Sequence, residues 1–419
     1  MNGFIRLGRS HAGPGAVWCL AIAMSLTATA AAQTSIFSFQ KTPNPNAHGN
    51  TLNAVAALST SDAWAVGFKN DNNLNGARTL TQHWDGAKWS TVPSPNPGST
   101  PACDGFNTGN VLTGVATVAT DDIWAVGYAF SCTTFFLKPM VQHWDGVKWS
   151  VVRTPKLNTN ENALFNGVVA LAANDIYAVG SQPAKNGAVL TLIEHWNGTA
   201  WSVVSSPNAN RTGNVLNSVS ANSPTDIWAV GFQTAPGIEE RTLALHFDGN
   251  KWSVVPTPNV VHGGNLDQNI LTSLVAVAPN DVTAMGFTVA NLTELTMALH
   301  WDGVSWTVVP TPNMSSDAGS FNTLRGVTAV NGSDLYAVGF FANSSTNGEQ
   351  LTLILHFDGS AWSIIPSPGK GVAQQLNGAF TLRGTTDVWV AGAASAIGTQ
   401  QGTGLLQVPG TLMLFTSGG

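Results

Sequence analysis

The chain has 419 residues, 43% of them hydrophobic and only 10% charged, with 43 glycines and 15 tryptophans. Globular chains carry about 25% charged residues, so this composition excludes a disordered polyelectrolyte, a coiled coil and a charge-driven interaction domain. A formal net charge of −6 provides no basic footprint for nucleic acid.

Residues 1–32 read as a secretory signal peptide. Arg6 and Arg9 give a positive start, Ala16 to Leu26 an apolar stretch too short to cross a bilayer, and Ala30-Ala31-Ala32 a small-residue cleavage site. Its removal would leave 15 basic against 23 acidic residues. No later stretch is long and apolar enough to span a membrane. Export implies an oxidising compartment, and the two remaining cysteines, Cys103 and Cys132, are expected to form one disulfide.

The rest of the chain repeats one pattern seven times. Its first phrase, Asp-x-aromatic-Ala-Val-Gly, starts at Asp62, Asp122, Asp175, Asp226, Asp281, Asp334 and Asp387, with spacings of 60, 53, 51, 55, 53 and 53 residues. Thr283 replaces the aromatic once, and the last copy reads Val390-Ala391. The second phrase, His-Trp-Asp-Gly-x-x-Trp-Ser, starts at His83, His143, His195, His246, His300 and His356, with small departures. The third is Pro-Ser/Thr-Pro-Asn, as at Pro93–Asn96, Pro256–Asn259 and Pro310–Asn313.

Each copy resolves into four strands, here lettered a to d. Strand a opens at an Asn-x-Leu, such as Asn110-Val111-Leu112. Strand b follows the Asp, as at Ile123–Tyr128. Strand c is placed at Leu351–Phe357; Asp358-Gly359 is a hairpin signal, and strand d runs from Trp362 to Ile365. The prolines then end the copy, because proline cannot donate to a ladder. A period near 50 with several short strands per unit is the signature of a β-propeller. The seventh copy ends at strand c, with Thr411–Leu414. Phe37–Asn44 aligns with the strand-d segment Trp252–Asn259. The expected fold is therefore an all-β, seven-bladed propeller of four-stranded blades over residues 33–419, closed by an N-terminal strand that completes the last blade and covers its edge.

The glycine-ended strand b (Val126-Gly127), the aromatic-Asp pair Trp144-Asp145 and Trp149 at strand d resemble the kelch family of propellers across residues 36–419. The Asp-x-aromatic strands and Trp-Asp-Gly-x-x-Trp turns also resemble bacterial sugar-binding propellers. These resemblances imply the propeller fold and leave the activity open.

Residues that recur once per copy are read first as structure. Apart from Trp18, the tryptophans fall in three columns: Trp64, Trp124, Trp228 and Trp389 in strand b; Trp84, Trp144, Trp196 and Trp301 ending strand c; Trp89, Trp149, Trp201, Trp252, Trp306 and Trp362 opening strand d. Blade-to-blade packing accounts for them. The strand-c histidines lie too far out to converge on one metal, and the strand-b aspartates are expected to accept backbone N–H groups in the a–b turn. Two columns are candidates for ligand binding. Asn50, Asn110, Asn162, Asn214, Asn269 and Asn322, with Gln374 in the last copy, open the innermost strands. They either hold the d–a turn or ring a channel mouth with amides. Phe68, Tyr128, Phe232, Phe287 and Phe340 end strand b; they either continue its core or offer a stacking surface.

Strand direction puts the d–a and b–c loops on one face, which varies between copies, and the near-constant a–b and c–d turns on the other. Cys103 and Cys132 both fall in variable-face loops. So do nine of the acids outside the repeat phrases: Asp71, Asp104, Glu161, Glu239, Glu240, Asp267, Glu294, Asp317 and Glu349. Variation on a rigid scaffold is where recognition resides. The sequence thus points to a secreted, non-enzymatic binding module that recognises glycan or protein through its variable face. Two alternatives stay open: a structural or surface-assembly protein, and an exported carbohydrate-active hydrolase or lyase using loop carboxylates. No residue pattern calls for a cofactor, a metal, nucleic acid or a membrane span.

Overall fold

Apolar residues alternating between proline- and glycine-marked turns give this chain strands almost throughout. A computed structural model describes residues 36–45, 49–70, 76–98, 108–131, 134–157, 161–235, 238–262, 267–368, 372–397 and 407–416, all within one compact unit, Ser35–Gly419. The expected leader, Cys103 and Cys132 lie outside the described residues. The protein is all-β, apart from a single 3-10 turn at Ser344–Thr346 among the described residues. No described helix is long and apolar enough to cross a membrane.

The first copy runs Asn50–Ser59 (a), Asp62–Asn70 (b), Gly76–Trp84 (c) and Trp89–Val92 (d), each strand antiparallel to the one before. The order recurs, and pairing among the described residues makes five sheets, three of four strands and two of eight. Each larger sheet is two a-to-d runs joined by a short parallel contact, Gly76–Ala77 beside Thr108–Gly109 in one and Val189 beside Gly213 in the other. In the last sheet Val372–Thr381, Val388–Ile397 and Gln407–Thr416 are followed by Ser38–Phe39 as the outer strand, with Ser38 opposite Phe415 and Phe39 opposite Leu414. The proline phrase of that segment repeats its usual contacts: the Thr411 N–H donates to Asn44 Oδ1 and its hydroxyl to Thr42 Oγ1 at 2.7 Å.

Strands c and d of the sixth copy lie at their expected bounds, whereas strand b of the second extends to Ser131, three residues past the expected end. Strand a carries a β-bulge in every copy. In the first, Leu52 pairs with Gly67 and Ala54 with Val66, leaving Asn53 unpaired. The bulge brings the strand-a backbone close to strand b. A Cβ on Gly67 would stand 2.0 Å from Thr51 O, and at the equivalent glycines the same clash is between 1.8 and 2.1 Å. This close approach is why the strand-b phrase ends in glycine every time.

The core is divided into clusters, each shared by two copies. One combines Trp64 and Val66 of the first copy with Leu112, Ile123, Met140 and Trp149 of the second. Another combines Leu52, Leu80 and Trp89 of the first with Trp389, Ala391 and Met413 of the last. The tryptophan columns meet at these junctions: Trp64 lies 5.0 Å from Trp144 and 5.3 Å from Trp149, and Trp389 lies 5.8 Å from Trp84 and 5.6 Å from Trp89.

Candidate functional site

The repeated polar side chains are bound to one another. Each strand-c histidine donates an Nε2–H hydrogen bond to the strand-b aspartate of its copy, from His83 Nε2 to Asp62 Oδ1 at 2.8 Å to His300 Nε2 and Asp281 Oδ1 at 3.1 Å. These aspartates therefore serve the histidine rather than the a–b turn, a correction to the expectation from sequence. They stand two residues before the strand-b aromatic, on the same side of the strand, and that ring stacks on the histidine, as Trp64 does on His83 at 4.5 Å. The Asp-Gly turns work otherwise. Asp85 Oδ1 accepts the N–H groups of Lys88 and Ala87, and these bonds hold its carboxyl below the usual range. In Asp358 the Ser360 hydroxyl leads the backbone donors and lowers the value to about 2. The third phrase docks on strand c: Asn96 Oδ1 accepts the Thr79 N–H, as Asn208, Asn259 and Asn313 accept those of Thr191, Thr242 and Thr296. Where Pro139 removes that N–H in the second copy, Lys156 replaces the asparagine.

The asparagines that open strand a turn inward. Asn50, Asn110, Asn214, Asn269 and Asn322 are all buried. Asn110 Oδ1 accepts the Gly98 N–H, Asn214 Oδ1 that of Ala209, Asn269 Oδ1 that of Val260 and Asn322 Oδ1 that of Met314. Their amides thus hold the d–a loops. Gln374 is buried as well. Asn162 departs from the column: aligned by its bulge, the third copy places Ala163 there, and Asn162 is exposed with its Oδ1 accepting the Leu137 N–H. Of the strand-b aromatics, Phe68, Tyr128, Phe232 and Phe287 are half-buried and Phe340 is buried. Burial pushes the Tyr128 phenol up.

The side chains that bridge the inner strands sit at the bulges, three residues after the asparagine in most copies. Asn53 Nδ2 donates to Leu112 O, Thr113 Oγ1 to Phe165 O, Asn166 Nδ2 to Leu216 O, Asn217 Nδ2 to Leu271 O and Thr272 Oγ1 to Leu324 O. Asn377 Nδ2 donates to Leu52 O. Sequence reasoning missed this column, although its signal is visible: a polar residue between a Leu or Phe and an Ala, Gly or Ser. The sixth copy breaks the rule with Arg325. Its Nη1 donates to Gln375 Oε1 at 3.1 Å and Asn377 Oδ1 at 2.9 Å, and its guanidinium lies 4.9 Å from the centre of the Phe340 ring. Burial pulls this guanidinium below its ordinary value, with the Glu294 carboxylate acting in the opposite sense. Glu294 Oε2 accepts the Thr323 hydroxyl, and the Glu294 backbone is tied to Ser320 O and the Asn322 amide.

Exposed apolar side chains flank this cluster: Leu292 and Met314 in loops and Phe321 at the start of strand a. Asn291 and Leu292 have φ of 50° and 67°, a left-handed conformation uncommon outside glycine. A second feature of the same loop set is a cavity of about 490 Å³ between the third and fourth copies, lined by Asn186, Leu190, Asn208, Asn210 and Arg211 among others. Of the loop acids, Asp267 is buried with Oδ2 accepting the His262 N–H, Glu161 and Asp317 are exposed, and Asp71 and Asp104 lie outside the described residues. No group of three or more His, Cys, Asp or Glu among the described residues could hold a metal.

No family model matches the chain, and no curated protein matches it. Solved structures do. YCF48 bound to a D1 peptide matches at 12% identity and a TM-score of 0.52, covering 92% of this chain and 98% of that one. An ulvan lyase of a polysaccharide lyase family, bound to GlcA(1-4)Rha3S, matches at 9% identity and a TM-score of 0.55, covering 87% and 93%. A six-bladed β-propeller lectin from Aleuria aurantia gives 14% identity, a TM-score of 0.43 and coverage of 78% and 99%. At these identities the likeness is one of fold: the chain is an all-β protein with β-propellers among its structural neighbours.

Proposed function

We propose that this chain is an exported, kelch-like, seven-bladed β-propeller that acts as a non-enzymatic binding module, recognising glycan or protein through its d–a and b–c loops. Closure of the blades is supported by three contacts between the ends of the chain: the Ser38–Phe39 strand on the last sheet, the Asn377 bond to Leu52 O, and the packing of Trp389 on Trp84 and Trp89.

The binding reading rests on one observation. The polar residues that repeat are engaged in holding the fold, whereas the unrepeated Arg325 cluster, the exposed Leu292, Met314 and Phe321, and the 490 Å³ cavity all belong to the variable loops or the strand ends beneath them. An apolar rim beside a few convergent polar groups is the usual make-up of a ligand site. The YCF48 structure holds a peptide and the ulvan lyase structure a saccharide, and both fit a propeller that works by recognition. A lyase reading draws on the second neighbour and on Glu294, which the structure places at the start of strand c of the fifth copy rather than in the preceding loop. It predicts an unsaturated uronate product, visible by ultraviolet absorbance, when the protein is incubated with an acidic polysaccharide.

Glycan-array and pull-down measurements on residues 33–419 test the proposal. A specific ligand is expected, with binding lost on Leu292→Asp and kept on Val304→Asp, a substitution in a c–d turn. A folded protein silent in both assays would overturn it.

A further inference from the structure

We propose that Arg325, together with Thr323 and Glu294, forms a subsite for the carboxylate or sulfate of an acidic saccharide. The inference deepens the binding reading above and rests on it.

Arg325 stands where the other copies place an asparagine or a threonine, and the bridging duty of that position needs one or two N–H or O–H donors. A guanidinium has five N–H groups in a planar fork. Only Nη1 is used, by two neutral amide oxygens. Among the described residues neither Nε nor Nη2 meets an acceptor, and neither is sealed from solvent. No described carboxylate lies within ion-pair distance of it. Glu294 is near enough to act on the charge, but its Oε2 is engaged by the Thr323 hydroxyl. The result is a half-buried cation braced on one side by Gln375 and Asn377, lying over the Phe340 ring, with the Nε–Nη2 edge unfilled.

That edge matches the two oxygens of a carboxylate or sulfate in the bidentate geometry arginine favours. Bracing by fixed amides lowers the ordering cost of binding. A saccharide is favoured over a simple anion by what surrounds the fork. Glu294 supplies carboxylate oxygens, which accept hydroxyl donors and would repel an isolated anion. Phe321, the exposed first residue of this strand, offers an apolar ring face to a sugar. An acidic sugar carries the anion for Arg325 and the hydroxyls for Glu294 in one unit.

The test titrates residues 33–419 with a glucuronate-containing tetrasaccharide, its carboxyl-reduced counterpart, sodium acetate and sodium sulfate. The readouts are calorimetry and the Nε–H resonances of the arginine side chains. The acidic tetrasaccharide is expected to bind and to shift one arginine Nε–H resonance. The reduced form should bind at least tenfold more weakly, and added salt should weaken the acidic form. Arg325→Gln, which keeps a donor for Asn377, is expected to lose at least tenfold and to abolish the shifted resonance. Equal binding of acidic and reduced forms, an unchanged Arg325→Gln variant, or acetate and sulfate binding as tightly as the saccharide would each overturn the subsite. If Arg325→Gln does not fold, the wild-type resonance decides alone. A protein that binds a neutral glycan or a protein, with no response at Arg325, defeats this subsite and leaves the broader reading standing. Silence towards every ligand defeats both.

Discussion

At the scale of single residues, the repeat shows which side chains the fold requires, and its departures show where something else is at work. Gln82 and Gln142 occupy the same register of strand c, opposite Ala65 and Ala125, and donate to Pro43 O and Pro95 O. Glu194 takes that register in the third copy, opposite Ala178. It is fully buried, neither carboxyl oxygen has a partner among the described residues, and burial pushes its pKa from 4.5 up to about 8. The unfolded chain releases this proton near 4.5 while the folded chain keeps it, so stability contributed by the neutral carboxyl is complete below 4.5 and is lost as pH rises towards 8. Glu194→Gln should therefore leave stability nearly unchanged at pH 4.5 and raise it progressively to a plateau above pH 8, by as much as roughly 5 kcal/mol. Urea unfolding of both proteins across that range checks this; a pH-independent difference would contradict it. The histidines' structural role was legible from spacing alone. Their partners were not, because the pairing of Asp62 with His83 depends on the b–c register, which fixed-length phrases separated by variable loops do not state.

At the scale of elements, strands c and d were readable because an Asp-Gly turn and a proline phrase bracket them. Strand b extends beyond its repeat phrase: the phrase ends at Gly127, while backbone pairing to strand c continues through Ser131 with Phe136. The strand-a bulge was hidden for a related reason. A single unpaired residue shifts the alternation by one, so the asparagine column looked axial while the bridging side chains lay three residues on. The N-terminal strand could be recognised because Phe37 falls in the strand-d tryptophan column and Thr42-Pro43-Asn44 repeats the third phrase. Phe37 is buried against Tyr336, with ring centroids 5.7 Å apart. Phe37→Ala should cost about 3–5 kcal/mol in urea unfolding, the usual range for a buried phenylalanine. A loss under about 1 kcal/mol would show that this segment is not an integral outer strand.

At the scale of the whole molecule, the two loop sets differ in what they leave unused. The c–d turns are closed by their own aspartates, as Asp302 is by the N–H groups of Ser305 and Val304. The opposite set includes the left-handed Asn291–Leu292 pair, and the strand that its d–a loop feeds carries the exposed Phe321 and the Arg325 guanidinium. The sequence revealed that this face varies, but not which of its residues converge. Glu294 and Arg325 are 31 positions apart and meet only through the packing of the fifth and sixth copies. Hydrogen–deuterium exchange of residues 33–419, with and without saturating glucuronate tetrasaccharide, tests most directly that recognition belongs to this face. Slowed exchange is predicted in the segments 291–294 and 314–325, with no change in the turns 145–148 and 302–305. Slowing confined to those turns would contradict the account.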